Sequence, residues 1–219
     1  MPDKLQIIVL HTLKYKDSSL ILQGYSNLNG RQSYIVRKRK PGNAFISQLQ
    51  ALDIIDAEIV PGGKGSMSTI KEFVPAFTFQ DIRYNLNKCS IAMFISELIY
   101  RIVREVEPNR VMYDFIRSSI LTLETLKNGY SNFHTWFIVE MCKQSGYDPL
   151  LSIGDFSGRS YEILAKLLNI DPAELNTVKL NGKERYIFIK DMLSYLSHHI
   201  GSPIEVKSLE VLHQVLGQE

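Results

Sequence analysis

Five cations stand close together near the start of the chain: Arg31, Arg37, Lys38, Arg39 and Lys40 all fall within "RQSYIVRKRK", residues 31–40. Guanidinium and ammonium groups at this density can displace the counterions around a sugar-phosphate chain, a contact that ignores base sequence. Tyr15, Tyr25, Tyr34 and Phe45 lie in the same third of the chain. Such rings can stack on unpaired bases, although each is as readily explained by core packing. A short basic run also has a plain reading as solvated surface, so its context must decide. Residues 1–80 hold ten Lys or Arg against six Asp or Glu, and residues 81–219 hold fifteen against seventeen, which a net charge of +2 conceals. A basic front and a near-neutral rear point to an anionic partner for the front alone, nucleic acid being the commonest.

Other chemistries fail on spacing. "GGKGS" at 62–66 resembles a phosphate loop, but Glu58 stands where the first glycine is required and Gly65 follows Lys64 in place of Ser or Thr. His198 and His199 are adjacent and diverge on a helix, while His11, His134 and His213 have no ligand-spaced partners. No nucleophile elbow or paired-carboxylate motif is present. The reading is therefore a protein that is not an enzyme, with no metal and no cofactor. Cys89 and Cys142 are the only thiols and each sits in an apolar helical stretch, which argues for a reducing compartment. The richest apolar segment, "CSIAMFISELIYRIVREVE", is cut by Glu97 and Arg101, so no membrane span and no membrane partner are expected, nor is a secretion signal. A bacterial cytoplasmic protein is expected.

The elements that must carry the cations have period two. Five strands are expected at about Leu5–Lys14, Ser19–Tyr25, Arg31–Lys38, Leu49–Val60 and Ser68–Val74, with "SNLNG" turning the second into the third and a turn near 43–48. Along a strand Arg37 and Arg39 face one side, Lys38 and Lys40 the other, so the four charges fringe a strand end. After Pro75 the period becomes helical. Ile91, Ile95, Leu98 and Ile102 share a face; Pro108 can open a helix containing Met112, Phe115, Ile116, Ile120 and Leu123; Gly129 is a stop. Ser131 or Asn132 can cap a helix with Phe133, Trp136, Phe137 and Met141, and short pieces follow at 160–169 and 172–176. A helix Glu184–Ile200 and a last one capped by Ser208 complete the chain. Strands followed by helices, without βαβ alternation, give an α+β chain: a five-stranded OB-fold barrel at 1–78 and an all-α domain at 79–219.

Four stretches in order resemble the RecO family of bacterial recombination mediators. They are "IVLHTLKYKDSSLILQGYSNLNGRQSYIVRKRK" at 8–40, "IAMFISELIYRIVRE" at 91–105, "NFHTWFIVEMCKQSGYDP" at 132–149 and "SPIEVKSLEVLHQVL" at 202–216. The resemblance implies nonspecific binding of single- and double-stranded DNA, annealing of complementary strands without nucleotide, and action with RecR in loading RecA on DNA coated by single-stranded DNA-binding protein, SSB. It makes Arg31, Arg37, Lys38, Arg39 and Lys40 first candidates for DNA contact, with Lys14 and Lys16 on the neighbouring strand end. RecR would dock on the barrel. The acidic, apolar SSB tail would need an apolar groove with a basic lip on the helical domain, for which Arg101, Arg104 and Arg117 are candidates; each also reads as a solvated helix face. Some members hold four cysteines as a zinc site after the third stretch, but "LLSIGDFSGRS" has none, so no zinc is expected and apolar packing must hold that region. Asn132 stands where the family often has Arg, which removes that side chain from any pairing with an acidic tail. The competing reading is a protein-interaction scaffold whose barrel binds a protein partner; a nucleotide-dependent enzyme is a weaker third.

Overall fold

A computed structural model describes residues 3–37, 49–63, 66–104 and 107–217. Its strands are β1 (Asp3–Lys16), β2 (Ser19–Ser26), β3 (Gly30–Arg37), β4 (Ile54–Val60) and β5 (Ser68–Pro75). They close into a barrel in the order β1-β2-β3-β5-β4, antiparallel throughout except for the parallel pair β3–β5. This is the five-stranded OB architecture. Closure leaves no free sheet edge. Leu5, Ile7, Val9, Leu22, Tyr34, Val36, Ile55, Ala57, Ile59 and Ile70 point inward and form one core. Each buried aliphatic side chain contributes roughly 1.5–3 kcal/mol.

Ile8, Leu10 and Tyr25 break the alternation, since they are buried on the opposite face. The cover comes from Ile102–Arg117, which belongs to the same compact unit as Met1–Phe79. Tyr25 stacks on Tyr113 with ring centroids 6.4 Å apart and donates its hydroxyl to the Asn109 carbonyl. Tyr113 Oη and Arg117 Nε both donate to Gln6 Oε1, at 2.8 and 3.2 Å. The unbroken run "IIVL" at 7–10 is the trace of this two-sided burial.

Two strand boundaries differ from the alternation. β1 extends from Asp3 to Lys16 with irregularities at Val9/His11 and Lys14/Lys16. β4 starts at Ile54, five residues later than expected, because 49–53 form a turn. There Asp53 Oδ2 accepts the Gln50 amide at 2.9 Å, and Leu52 adopts a left-handed φ of 66° while its amide bonds the Val9 carbonyl at 2.8 Å. The turn is closed on itself by Gln50 and Asp53 and docked on β1 by the exchange of backbone bonds between Val9 and Leu52–Asp53, at the β1 irregularity. The expected turn at 43–48 lies outside the described residues.

The second compact unit comprises Gln80–Arg101 and Ser118–Glu219. The helices of the chain are α1 (Asp81–Tyr84), α2 (Leu86–Ile102), α3 (Arg110–Thr125), α4 (Phe133–Gln144), α5 (Gly158–Leu167), α6 (Gly182–Ile200) and α7 (Ser208–Leu216). Asn109 caps α3 by accepting the Met112 amide at 3.0 Å, so the cap follows Pro108 by one residue. α4 is apolar around nearly its whole circumference and accordingly buried, with α5 and α6 packed on it. A capping box between Asn181 and Glu184 starts α6, and Gly201 at φ 72° ends it.

Two expected caps do other work. Asn132 makes no side-chain cap; it is buried and its Nδ2 donates to the carbonyls of Leu175 and Val178 at 3.1 and 2.6 Å. Ser208 is likewise no N-cap acceptor. The Glu97 carboxylate on α2 instead accepts the amides of Lys207 and Ser208 and the Ser208 hydroxyl at 3.1, 2.9 and 2.7 Å. Glu124 on α3 does the same for α1, taking the amides of Gln80, Asp81 and Ile82 at 2.7–3.0 Å. A carboxylate from another helix thus satisfies first-turn donors that local sequence leaves open.

Candidate nucleic-acid interface

The candidate interface lies on the outward side of β1, β2 and β3. Since Leu22, Tyr34 and Val36 face the core, Ile21, Gln23, Ser33, Ile35 and Arg37 face out. Register then sets three rows across the strands. Lys16 pairs Ser19, which pairs Arg37; Leu13 pairs Ile21, which pairs Ile35; His11 pairs Gln23, which pairs Ser33. The last row is fixed by a 2.9 Å hydrogen bond from Ser33 Oγ to Gln23 Oε1.

Local sequence holds this register. The Asn29 amide donates to Ser26 Oγ at 3.0 Å, and Gly30 takes a left-handed φ of 60°, which closes the β2–β3 turn. Gly24 lets β2 approach β1, because a Cβ there would overlap Ile7 Cγ2. The irregularity between Lys14 and Lys16 leaves Tyr15 unpaired and 47% exposed, with Lys16 Nζ 5.3 Å from its ring centre.

The register brings Lys16 and Arg37 into one outward row, while Lys14 pairs Leu20 and stands in the alternate register at the same end. All three are exposed at one end of the barrel, and Lys16 and Arg37 lie two strands apart, about 10 Å. They have no carboxylate partner among the described residues. Arg31 is separate. It pairs with Tyr25 at the far end of β3, about 20 Å along the strand from Arg37, and borders a recess of about 310 Å³ with Gln32 and Ser68. Lys38, Arg39 and Lys40 lie outside the described residues, as does Phe45. Of the other rings, Tyr25 and Tyr34 are fully buried and belong to packing, and Tyr15 alone is exposed.

The expected lip residues do not share a unit: Arg101 belongs to the second, Arg104 and Arg117 to the first. Arg101 sits 3.5 Å from Glu97, and Arg117 is bonded to Gln6. The helical unit instead has a groove of about 750 Å³ between α6 and α7, lined by Leu193, Ile204, Val206 and Leu209 and, among charged residues, by Lys190, Lys207, Glu205 and Glu210. Sequence reading missed it. The available signal was "SPIEVK" at 202–207, an alternating apolar stretch held beside a helix by the Gly201 stop.

The region after Tyr147 is held by rings. Phe156 packs on Tyr195 at 5.3 Å and Tyr195 on His199 at 4.2 Å. Among the described residues no group of three or more His, Cys, Asp or Glu could hold a metal ion, and no helix is long and apolar enough to cross a membrane.

A closed five-stranded OB-type barrel followed by a helical region, with exposed cations at one end of the outward face, defines an α+β class of barrel proteins. Comparison with known proteins narrows it. Residues 1–79 match the family described as recombination protein O N terminal, and residues 83–153 match recombination protein O C terminal. A DNA repair protein RecO of Flavobacterium psychrophilum is 29% identical over 98% of this chain and 99% of its own length. One from Flavobacterium johnsoniae is 27% identical with the same coverage, and one from Bacteroides fragilis is 34% identical over 70% of this chain and 64% of its own. The chain belongs to the RecO family of DNA repair and recombination proteins, which are mediators and not enzymes.

Proposed function

We propose that the chain is a recombination mediator that binds DNA without sequence specificity and anneals complementary strands without nucleotide. With RecR it helps RecA load on single-stranded DNA coated by SSB. Residues 1–78 act as the nucleic-acid-binding domain and residues 79–219 recruit protein partners, in the cytoplasm at the nucleoid. The observation that carries this reading is the row Lys16–Ser19–Arg37 on an OB-type barrel, whose cations have no carboxylate partners among the described residues. Cations held that way are available to phosphates. Lys14 is exposed at the same barrel end but in the alternate register, paired with Leu20; Arg31 contributes a separate contact, and Lys38–Lys40 follow Arg37 directly in the chain.

The acidic, apolar tail of SSB fits the α6–α7 groove better than any site made from Arg101, Arg104 and Arg117. Apolar side chains of the tail meet Leu193, Ile204 and Val206, and its carboxylates meet Lys190 and Lys207. RecR docks on the barrel unit.

Binding of a labelled oligonucleotide across a salt series tests the nucleic-acid reading. Lys16→Ala with Arg37→Ala lowers affinity and reduces the logarithmic salt slope by about 1.4, at ~0.7 for each single-strand phosphate. An unchanged slope sinks the site and favours the barrel as a protein-docking surface. Annealing of complementary strands followed by fluorescence proceeds without ATP; a strict nucleotide requirement overturns the mechanism. Lys190→Glu with Lys207→Glu weakens binding of an acidic tail peptide.

A further inference from the structure

The outward face of β1–β2–β3 carries something its cations do not explain. Beside the row Lys16–Ser19–Arg37 lies the row Leu13–Ile21–Ile35. Leu13 is 46% exposed, and Ile21 and Ile35 are half-buried. Aliphatic side chains in mid-face of a barrel are normally turned inward, and here the inward set is complete without them. The two rows are about 7 Å apart along the strands. That is comparable with the reach from a phosphate to its own base. Tyr15, unpaired at the β1 irregularity, adds an exposed ring between Leu13 and Lys16.

The two rows respond differently to strandedness. A cationic row attracts phosphates whether the strand is paired or not. An aliphatic row with one ring can only meet a base face, and base faces are accessible in an unpaired strand and stacked away in a duplex. We propose that Leu13, Ile21 and Ile35, extended by Tyr15, select unpaired strands over duplex. This rests on the nucleic-acid reading of the same face. The aliphatic row makes the annealed product a weaker ligand than either reactant. Pairing withdraws the bases from the row, leaving only the cations to hold the duplex, so release follows from annealing itself.

The test measures affinity of the full chain for a labelled single strand and for the duplex of the same sequence at one fixed salt concentration. In a Leu13→Gln, Ile21→Thr, Ile35→Thr variant the strands keep β-compatible residues. Single-strand affinity falls roughly tenfold, the loss typical of removing a base contact, while duplex affinity stays within about twofold. A Leu13→Trp variant gives an independent readout should the triple variant fold poorly: its emission is quenched by the single strand and unmoved by saturating duplex. Equal loss for both DNA forms, an unchanged ratio in a folded variant, or equal quenching overturns the selector. So does loss of RecR binding with DNA affinities intact, which makes the row a protein contact. If wild-type protein binds neither form, the nucleic-acid reading itself fails; if binding depends on Lys16 and Arg37 but the ratio is insensitive to the row, only the selector fails.

Discussion

In the barrel unit Lys14, Lys16 and Arg37 are exposed with no carboxylate partner among the described residues, whereas in the helical unit Lys88, Lys127, Arg159 and Arg185 are tied to the protein itself. Lys88 is 1% exposed, pairs with Asp81 at 3.1 Å and donates to the Glu124 carbonyl at 2.8 Å. Lys127 reaches the same Asp81 carboxylate at 2.8 Å, and these two cations, Lys127 first, hold its pKa below the usual carboxylate range. Arg159 bridges Glu162 and Glu184. Arg185 is buried and donates to the carbonyls of Leu180 and Leu216, both at 2.8 Å. Similar residue types therefore serve opposite ends. One set holds helices together and the other is kept for a partner. Removing one of these tied cations should cost stability, and removing one from the barrel face should cost binding alone.

The sharpest way to break this comparison is Arg185→Ala. It leaves buried carbonyls without donors at the place where α6 and α7 meet, where a Cβ on Gly182 would lie 2.6 Å from Gly217 Cα. Urea unfolding followed by Trp136 emission should show a loss of about 3 kcal/mol or more. A loss under about 1 kcal/mol would mean that the helical unit does not depend on its internal cations.

A second large effect is set by pH. His134 is buried in α4 with Nδ1 unpaired, its ring edge-on to Phe94 at 5.9 Å. Burial first, and the positive charge of Arg185 second, lower its pKa from 6.5 to about 3. The unfolded chain takes up this proton near pH 6.5 and the folded chain does not, so the contribution is intact above pH 6.5 and is lost as pH falls toward 3. By pH 4 the loss reaches up to roughly 3 kcal/mol, at 1.4 per pH unit. A His134→Phe variant should show a shallower acid decline than wild type; parallel declines would remove His134 as the cause.

How much of this could be read from the chain divides along the same line. The strands of the barrel announce themselves by alternation, and the turn at Ser26–Gly30 by its residues, because both are local. The closing pairs β1–β4 and β3–β5 are not local, and neither is the cover over Ile8 and Tyr25. Arg31 and Arg37 look like one cluster by count, yet five residues of extended chain lie between them. In the helical unit the periodicity shows where helices run, but not what caps them. Ser208 has the right residue type for a cap, while the acceptor is Glu97, 111 positions away. A sequence read one window at a time cannot register that pairing.

Glu97 gives the third effect. Burial raises its pKa, but hydrogen bonds from Ser208, Lys207 and Arg101 outweigh this and hold the carboxyl below its ordinary range. Glu97→Ala should cost about 1–2 kcal/mol, as loss of an N-cap does. Hydrogen exchange at the amides of Lys207 and Ser208 should speed up more than elsewhere in the helical unit. Uniform acceleration would mean that the contact does not act as a cap.

The smallest expected effect on stability is the one that defines the barrel face. Lys16→Ala with Arg37→Ala removes two exposed cations whose only described partner is the Tyr15 ring beside Lys16. Unfolding free energy should therefore stay within about 0.5 kcal/mol of wild type, as for surface substitutions generally. DNA affinity, measured on the same preparation, should fall. Loss of stability and affinity together would mean that these cations hold the barrel end in shape, and the contrast with Lys88 and Arg185 would disappear.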